Sequence, residues 1–319
     1  MSRVFFRICA VAVLFLFPVT SGVSAGELTK MTVLLDWFVN PDHAPLFVAL
    51  EKGYFKDQGL DIEFIAPADP NDPPKLVAAG KADIAVSYQP QHHLQVDQGL
   101  PLVRIATLVA TPLNSLVVLA DSDIKSIADL KGKTIGYSVG GFETVLLKVM
   151  LEKAGLSLDD VELVNVNFSL SPSLLTGKAD AVIGAFRNFE LNQMEIEKRP
   201  GRPFFVEELG VPAYDELILV AHNDRLTDEN IRKFVNGVEA GVQFLINHPK
   251  ESWQLFVSHD RKELDDELNR RAWHDTLPRF ALRPGALDQN RYRRFATFLQ
   301  EQNMIVKVPE LETFAVELQ

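Results

Sequence analysis

The chain repeats itself, and the repeat restricts the folds open to it more than any other feature. Residues 31–36 (MTVLLD) read as a strand, followed by a loop through Trp37, Asn40 and His43, a helix ending Leu50-Glu51-Lys52-Gly53, and a strand over 61–65. About one hundred residues later the same order returns. Residues 133–139 (KTIGYSV) lead through Gly140-Gly141-Phe142 to a helix ending Leu151-Glu152-Lys153-Ala154-Gly155 and a strand over 161–166. The second halves match too: residues 74–83 (PKLVAAGKAD) run into Ile84-Ala85-Val86, and residues 172–180 (PSLLTGKAD) into Ala181-Val182-Ile183. Either match alone is short enough to arise by chance. Two matches in one order at nearly the same offset are not.

Short apolar strands alternating with helices that end in glycine are βαβ units with buried, mainly parallel strands. Two copies predict an α/β chain of two similar lobes. The β-rich runs 115–120 and 216–221 flank the second copy, so the chain crosses into the second lobe and returns, giving a two-strand hinge. The expected division is a leader over 1–25, lobe one over 26–116, lobe two over 117–219, and a return to lobe one over 220–319. Helical patterns at 231–246 and 288–302, with Pro249 between them, are expected to pack mainly around lobe one.

The leader follows from a basic start (Arg3, Arg7), an apolar run over 8–19 and the small residues Val23-Ser24-Ala25, with cleavage expected after Ala25. Arg7 and Pro18 leave this run short of the roughly 20 apolar residues of a membrane span. Export to the periplasm is the expectation. The one cysteine, Cys9, lies within the apolar run, so the mature chain has no disulfide, thiolate metal site or thiol nucleophile. Arg3 and Arg7 are the leader's only charges, and the mature chain carries 30 basic against 43 acidic side chains, a net −13. That balance argues against nucleic acid and anionic lipid as partners.

In open α/β sheets ligands bind beyond the carboxyl ends of the strands. The duplication names four loops there: 37–45 and 88–93 from lobe one, 140–144 and 186–190 from lobe two. They hold the candidate ligand residues Trp37, Asn40, His43, Tyr88, Gln89, Gly140, Gly141, Phe142, Glu143, Asn188 and Glu190. Aromatic faces beside a few directional polar groups suit a small planar heterocycle. Trp37 is either a core residue at a strand end or a wall of the cleft. His43 either caps the following helix or meets the ligand, the glycine pair either turns the chain or admits a polar group to backbone N–H groups, and Glu190 is either solvated or in the cleft. His92 and His93 are adjacent and diverge on a helix, which is not metal-ligand spacing, so no metal is expected. No complete phosphate loop or His-Glu-x-x-His occurs, and neither catalytic residues nor cofactors are expected.

Residues 35–49 (LDWFVNPDHAPLFVA), Lys52-Gly53-Tyr54-Phe55, Ser87-Tyr88-Gln89-Pro90 and residues 184–190 (GAFRNFE) resemble the signatures of the family that unites periplasmic pyrimidine-binding proteins with fungal thiamine-pyrimidine synthases. The resemblance implies a type II periplasmic binding protein that passes a formylaminopyrimidine or hydroxymethylpyrimidine to an ABC permease with its ATPase; a monomer is expected. By the same resemblance Trp37 and Tyr88 stack on the ring, Asn40 and His43 border it, and Asn188 and Glu190 take its polar edge. Phe186 and Arg187 stand where the family carries other aromatic side chains. Binders of sulfonates and nitrate share the Lys-Gly-Tyr-Phe and Gly-Lys-Ala-Asp features, so the same trap for such a solute is the alternative. The synthases rely on a cysteine-rich iron site and a lysine for pyridoxal phosphate; a mature chain without cysteine is expected to be no enzyme.

Overall fold

Two five-stranded sheets of the same internal order organise a computed structural model that describes residues 27–318. The leader over 1–25 and Cys9 lie outside the described residues. The strands are β1 (Thr29–Leu34), β2 (Leu60–Ile65), β3 (Ile84–Ser87), β4 (Leu102–Val109), β5 (Asn114–Leu119), β6 (Thr134–Tyr137), β7 (Glu162–Asn165), β8 (Ala181–Phe186), β9 (Gly201–Phe205) and β10 (Leu217–His222). One sheet runs β2-β1-β3-β10-β4 and the other β7-β6-β8-β5-β9. In each, three parallel strands come from one copy of the repeat, and the fourth position is taken by an antiparallel strand delivered by a hinge crossing. Helices cover both faces, which is why β3, β4 and nearly all of β8 are buried along their length.

The chain crosses between sheets at residues 110–113 and 206–216. The expected boundaries at 116/117 and 219/220 fall inside β5 and β10, because each apolar run is a whole strand of the sheet it enters, and the crossings themselves are more polar. Glu216 stitches them: its Oε2 accepts the N–H groups of Leu113 (2.6 Å) at the end of the other crossing and Asn114 (2.9 Å) at the start of β5, and the Tyr214 hydroxyl (3.1 Å) from its own. Burial pushes its carboxyl up to about 7, against the pull of those donors.

The helical expectations fall at Glu229–Asn247 and Gln289–Glu301, with Pro249 opening a further helix, Pro249–His259. Helix Glu229–Asn247 packs on helix Ala44–Glu51 of lobe one. Helix Glu267–Thr276 departs from the expectation, since it touches both the Pro41–His43 turn and helix Glu190–Ile196 of lobe two. Among the described residues no helix is long and apolar enough to cross a membrane.

Candidate functional site between the lobes

The loop after β1 is fixed from within. Asn40 caps the turn Pro41–His43: its side chain accepts from the Asp42 N–H (2.8 Å), and its own N–H donates to His43 Nδ1 (3.3 Å). With Nδ1 accepting, the ring proton is on Nε2, which donates to Asp36 Oδ1 (2.8 Å). Asp36 Oδ2 accepts the Tyr88 hydroxyl (2.7 Å). One chain of bonds thus holds Trp37, set between Asp36 and Asn40, and Tyr88, delivered by the end of β3. Burial, then the Asp36 charge, lifts the Tyr88 phenol well above its ordinary range, so it remains a donor.

Lobe two supplies two glutamates. Glu143, in the first turn of helix Phe142–Lys153, accepts the N–H of Ser138 (2.7 Å) and is bonded by that of Val139. Its carboxyl lies against Gly184 on β8, where φ is +101° and a Cβ would come within 2.4 Å of Glu143 Oε1. Only glycine fits both the backbone and the approach. Glu190, opening helix Glu190–Ile196, accepts the Phe186 N–H (2.7 Å). Burial raises Glu143 to about 8, Glu190 to about 7 and, across the cleft, Asp42 to about 6; repulsion among neighbouring carboxylates adds to each.

These groups enclose about 410 Å³ of free space between the lobes, part of it open to solvent. Asp36, Trp37, Asn40, Asp42 and Tyr88 line it from lobe one. Glu143, Leu170, Gly184, Phe186, Phe189 and Glu190 line it from lobe two. The walls are aromatic and the polar groups acidic, with no Lys, Arg or His in the lining.

The lobes are closed on one another. Tyr88 stacks on Phe142 (centroids 4.8 Å apart, 23° between planes), Trp37 meets Phe168 edge-on (4.6 Å), and Phe38 packs on Phe189 (5.8 Å). Asn188 Nδ2 donates to Asp42 Oδ1 (2.6 Å) and Thr276 Oγ1 (2.7 Å), and Asn192 Nδ2 to Asp275 Oδ2 (2.7 Å). At another edge of the cleft the Asn71 side chain accepts from the Gly140 N–H (2.8 Å) and donates to the Ser138 carbonyl (3.2 Å).

Of the residues expected at the ligand, Trp37, Asn40, Tyr88, Glu143 and Glu190 line the cavity. His43 does not, because both ring nitrogens are used by the protein and the ring is fully buried behind Asp36. Gln89 is turned to the hinge, accepting the Asp215 N–H (2.8 Å) beside His93. Gly140 and Asn188 bond the opposite lobe, Gly141 turns the chain at φ +91°, and Phe142 lies behind Tyr88. Asp36, Asp42, Leu170, Gly184, Phe186 and Phe189 are lining residues that were not among the expected ones. Asp36 borders the Trp37 loop, Asp42 lies within it, and Phe186 and Phe189 belong to a loop already singled out, whereas Leu170 carries no signal in the sequence. His92 and His93 are core groups: His92 Nε2 meets the Phe314 carbonyl (2.6 Å), His93 sits among the Tyr292, Phe295 and Phe314 rings, and burial holds both below the ordinary histidine range. Among the described residues no group of three or more His, Cys, Asp or Glu is placed to hold a metal ion.

Two lobes of one strand order, crossed twice by the chain and closed over a cavity at their strand ends, define a type II periplasmic solute-binding fold. The chain belongs to the NMT1/THI5-like family, whose model matches residues 40–252, more than half of its length. It is 56% identical over 290 residues to a Haemophilus influenzae protein named for thiamine biosynthesis, covering 91% of this chain and 92% of that one. It is 35% identical over 263 residues to the formylaminopyrimidine-binding protein of Halalkalibacterium halodurans, covering 81% and 78%. A 4-amino-5-hydroxymethyl-2-methylpyrimidine phosphate synthase of Saccharomyces cerevisiae is 27% identical over 252 residues, 75% of this chain and 74% of that one. The alkanesulfonate-binding protein of Xanthomonas axonopodis pv. citri, solved with MOPS, shares the fold at a TM-score of 0.68 and 14% identity, covering 92% of this chain and 97% of that one.

Proposed function

We propose that this protein is the periplasmic binding component of an ABC importer and captures a thiamine pyrimidine precursor, formylaminopyrimidine or hydroxymethylpyrimidine, by closing its lobes over the ring. The observation that carries this reading is the pairing of aromatic walls, Trp37 and Tyr88, with Glu143 and Glu190 in a cavity without a cation. A flat ring stacks on such walls, and an exocyclic amine donates to carboxylates in short, directional bonds. A sulfonate or nitrate needs cationic or backbone donors, and acidic side chains oppose it. The name of the Halalkalibacterium relative supports the same ligand class.

Closure follows from the site's construction: each lobe holds half of the lining, so a ligand touching both stabilises the closed form over the open one. An ABC permease with its ATPase is the partner, the protein acts as a monomer, and the leader over 1–25 directs it to the periplasm. The name of the Halalkalibacterium relative supports a binding role rather than a synthase activity. Calorimetric titration of the mature protein with both pyrimidines, an alkanesulfonate and nitrate tests the reading. Pyrimidine binding with no heat from either anion is expected; the reverse ranking overturns it.

A further inference from the structure

The four lining carboxyl groups, Asp36, Asp42, Glu143 and Glu190, are each under 10% exposed, and the charges packed around them offer no cation to the cavity. Behind Asp36 stand His43 and the Tyr88 hydroxyl, both bonded to it. Behind Glu143 the hinge adds another acid, Glu216, beside the Tyr214 phenol. Asp42 is met by the neutral donors Asn188 and Thr276. The nearest guanidinium groups are spent elsewhere: Arg187 makes a two-pronged bond to Glu207 (2.7 and 2.9 Å) and covers the Phe205 ring, and Arg279 bonds the Asp275 carbonyl and Thr111. The lining itself offers carboxyl groups and no cation to whatever enters the closed cleft.

We infer, resting on the pyrimidine reading above, that the cleft binds its heterocycle together with one proton, shared between a ring nitrogen and a lining glutamate, and that it rejects any form of the ligand bearing an anionic group. An aminopyrimidine presents an N–H donor beside a ring-nitrogen acceptor. Against an ionised carboxylate the amine is satisfied while the ring nitrogen faces an oxygen lone pair, an uncompensated contact in a buried site. One proton between them turns both contacts into hydrogen bonds, one of them charge-assisted. When the glutamate already holds the proton none is exchanged with solvent; when it is ionised the proton comes from water. The raised proton affinities of Glu143 and Glu190 place the change between these regimes near neutral pH. A phosphate ester brings further negative charge to four carboxyl groups with no cation to receive it.

The test is titration calorimetry of the mature protein with 4-amino-5-hydroxymethyl-2-methylpyrimidine and with its monophosphate at about pH 6, 7.5 and 9, in buffers of contrasting ionisation enthalpy. Expected are proton uptake near zero at the lowest pH and approaching one per ligand at the highest, and affinity falling about tenfold per pH unit above about pH 8. The monophosphate is expected to bind at least about 100-fold more weakly throughout. Of E143Q and E190Q, the variant lacking the proton-sharing group loses the uptake, whereas the other keeps it. Pyrimidine binding with no uptake at any pH, or a monophosphate that binds as tightly, overturns this inference and leaves the pyrimidine reading standing. Binding of an alkanesulfonate with no binding of either pyrimidine form removes both.

Discussion

Asn188 and its partners make the cleft's closed state measurable. Its Nδ2 donates to Asp42 Oδ1 at 2.6 Å and to Thr276 Oγ1 at 2.7 Å, so one amide of lobe two bonds two groups beyond the cleft, all three of them buried. Replacement by alanine removes both bonds and leaves Asp42 with the Thr276 hydroxyl, 2.9 Å away, as its remaining side-chain donor. A net hydrogen bond is worth about 0.5–1.5 kcal/mol, and more when it reaches a charged group, so the pair contributes about 2 kcal/mol. In the open form water satisfies the same groups, and the loss therefore falls on the closure equilibrium. Apparent affinity scales with the fraction of molecules that can close, and about 2 kcal/mol corresponds to about 30-fold. Calorimetry of N188A should report that weakening, and small-angle scattering should show a more open distribution at subsaturating ligand. An unchanged Kd refutes the reasoning. So does a lost affinity with unaltered closure, because it would mean that Asn188 acts on the ligand directly.

Trp37→Ala should weaken binding at least about 10-fold by removing one wall of the cavity, read by calorimetry; an unchanged affinity removes Trp37 from the site. Gly184→Ala places a methyl group 2.4 Å from Glu143 Oε1 at a φ of +101°, so binding should be lost and stability should fall by about 1–3 kcal/mol; a variant that binds normally and melts like the parent shows that Glu143 relaxes freely. Asp42, Glu190, Glu216 and Glu143 are raised to about 6, 7, 7 and 8 in the folded protein. Above the ordinary carboxylate range the folded chain binds more protons than the unfolded one, so their contribution is full below about pH 4 and is lost as pH rises towards about 8. The Tm of the ligand-free protein should therefore fall from about pH 5 to 8, less steeply in an E143Q/E190Q variant. A rising Tm across that window would show that these groups are not buried as charges.

The repeat made the architecture legible because it is carried by patterns that survive divergence: apolar strands, and glycine at helix ends. β4 escaped that reading through Arg104, which puts a charge in the middle of a fully buried strand and is solvated by the carbonyls of Pro284, Gly285, Ala286 and Val316. At the site, loop position was legible and side-chain direction was not. His43 and Trp37 share a loop, and only the Asn40 cap decides that the imidazole turns inward to Asp36. Asn188 and Glu190 are two residues apart, yet one bonds lobe one and the other bonds the backbone of its own loop. Such choices are made by contacts from residues far away in the chain, such as Thr276, which no local spacing announces.

On the proposed reading the two copies divide the work of binding. In lobe one the acids are committed to the protein: Asp36 gives both oxygens to His43 and Tyr88, and Asp42 holds the Asn188 latch. What this lobe presents to a ring is Trp37 and Tyr88, held in place whether or not the lobes meet. In lobe two Glu143 and Glu190 are anchored by backbone N–H groups of their own lobe and sit beside Gly184 and Phe186. On the proposed reading a heterocycle gains stacking from lobe one at once, and it reaches carboxyl groups on lobe two only when the cleft shuts. Ring shape governs the first contact, and the polar edge governs whether closure is stabilised. A flat solute lacking the amine should accordingly dock on Trp37 and quench its emission without shifting the scattering profile towards the closed form. If such a solute closes the lobes as fully as an aminopyrimidine does, the division fails and the glutamates are not the groups that hold the cleft shut.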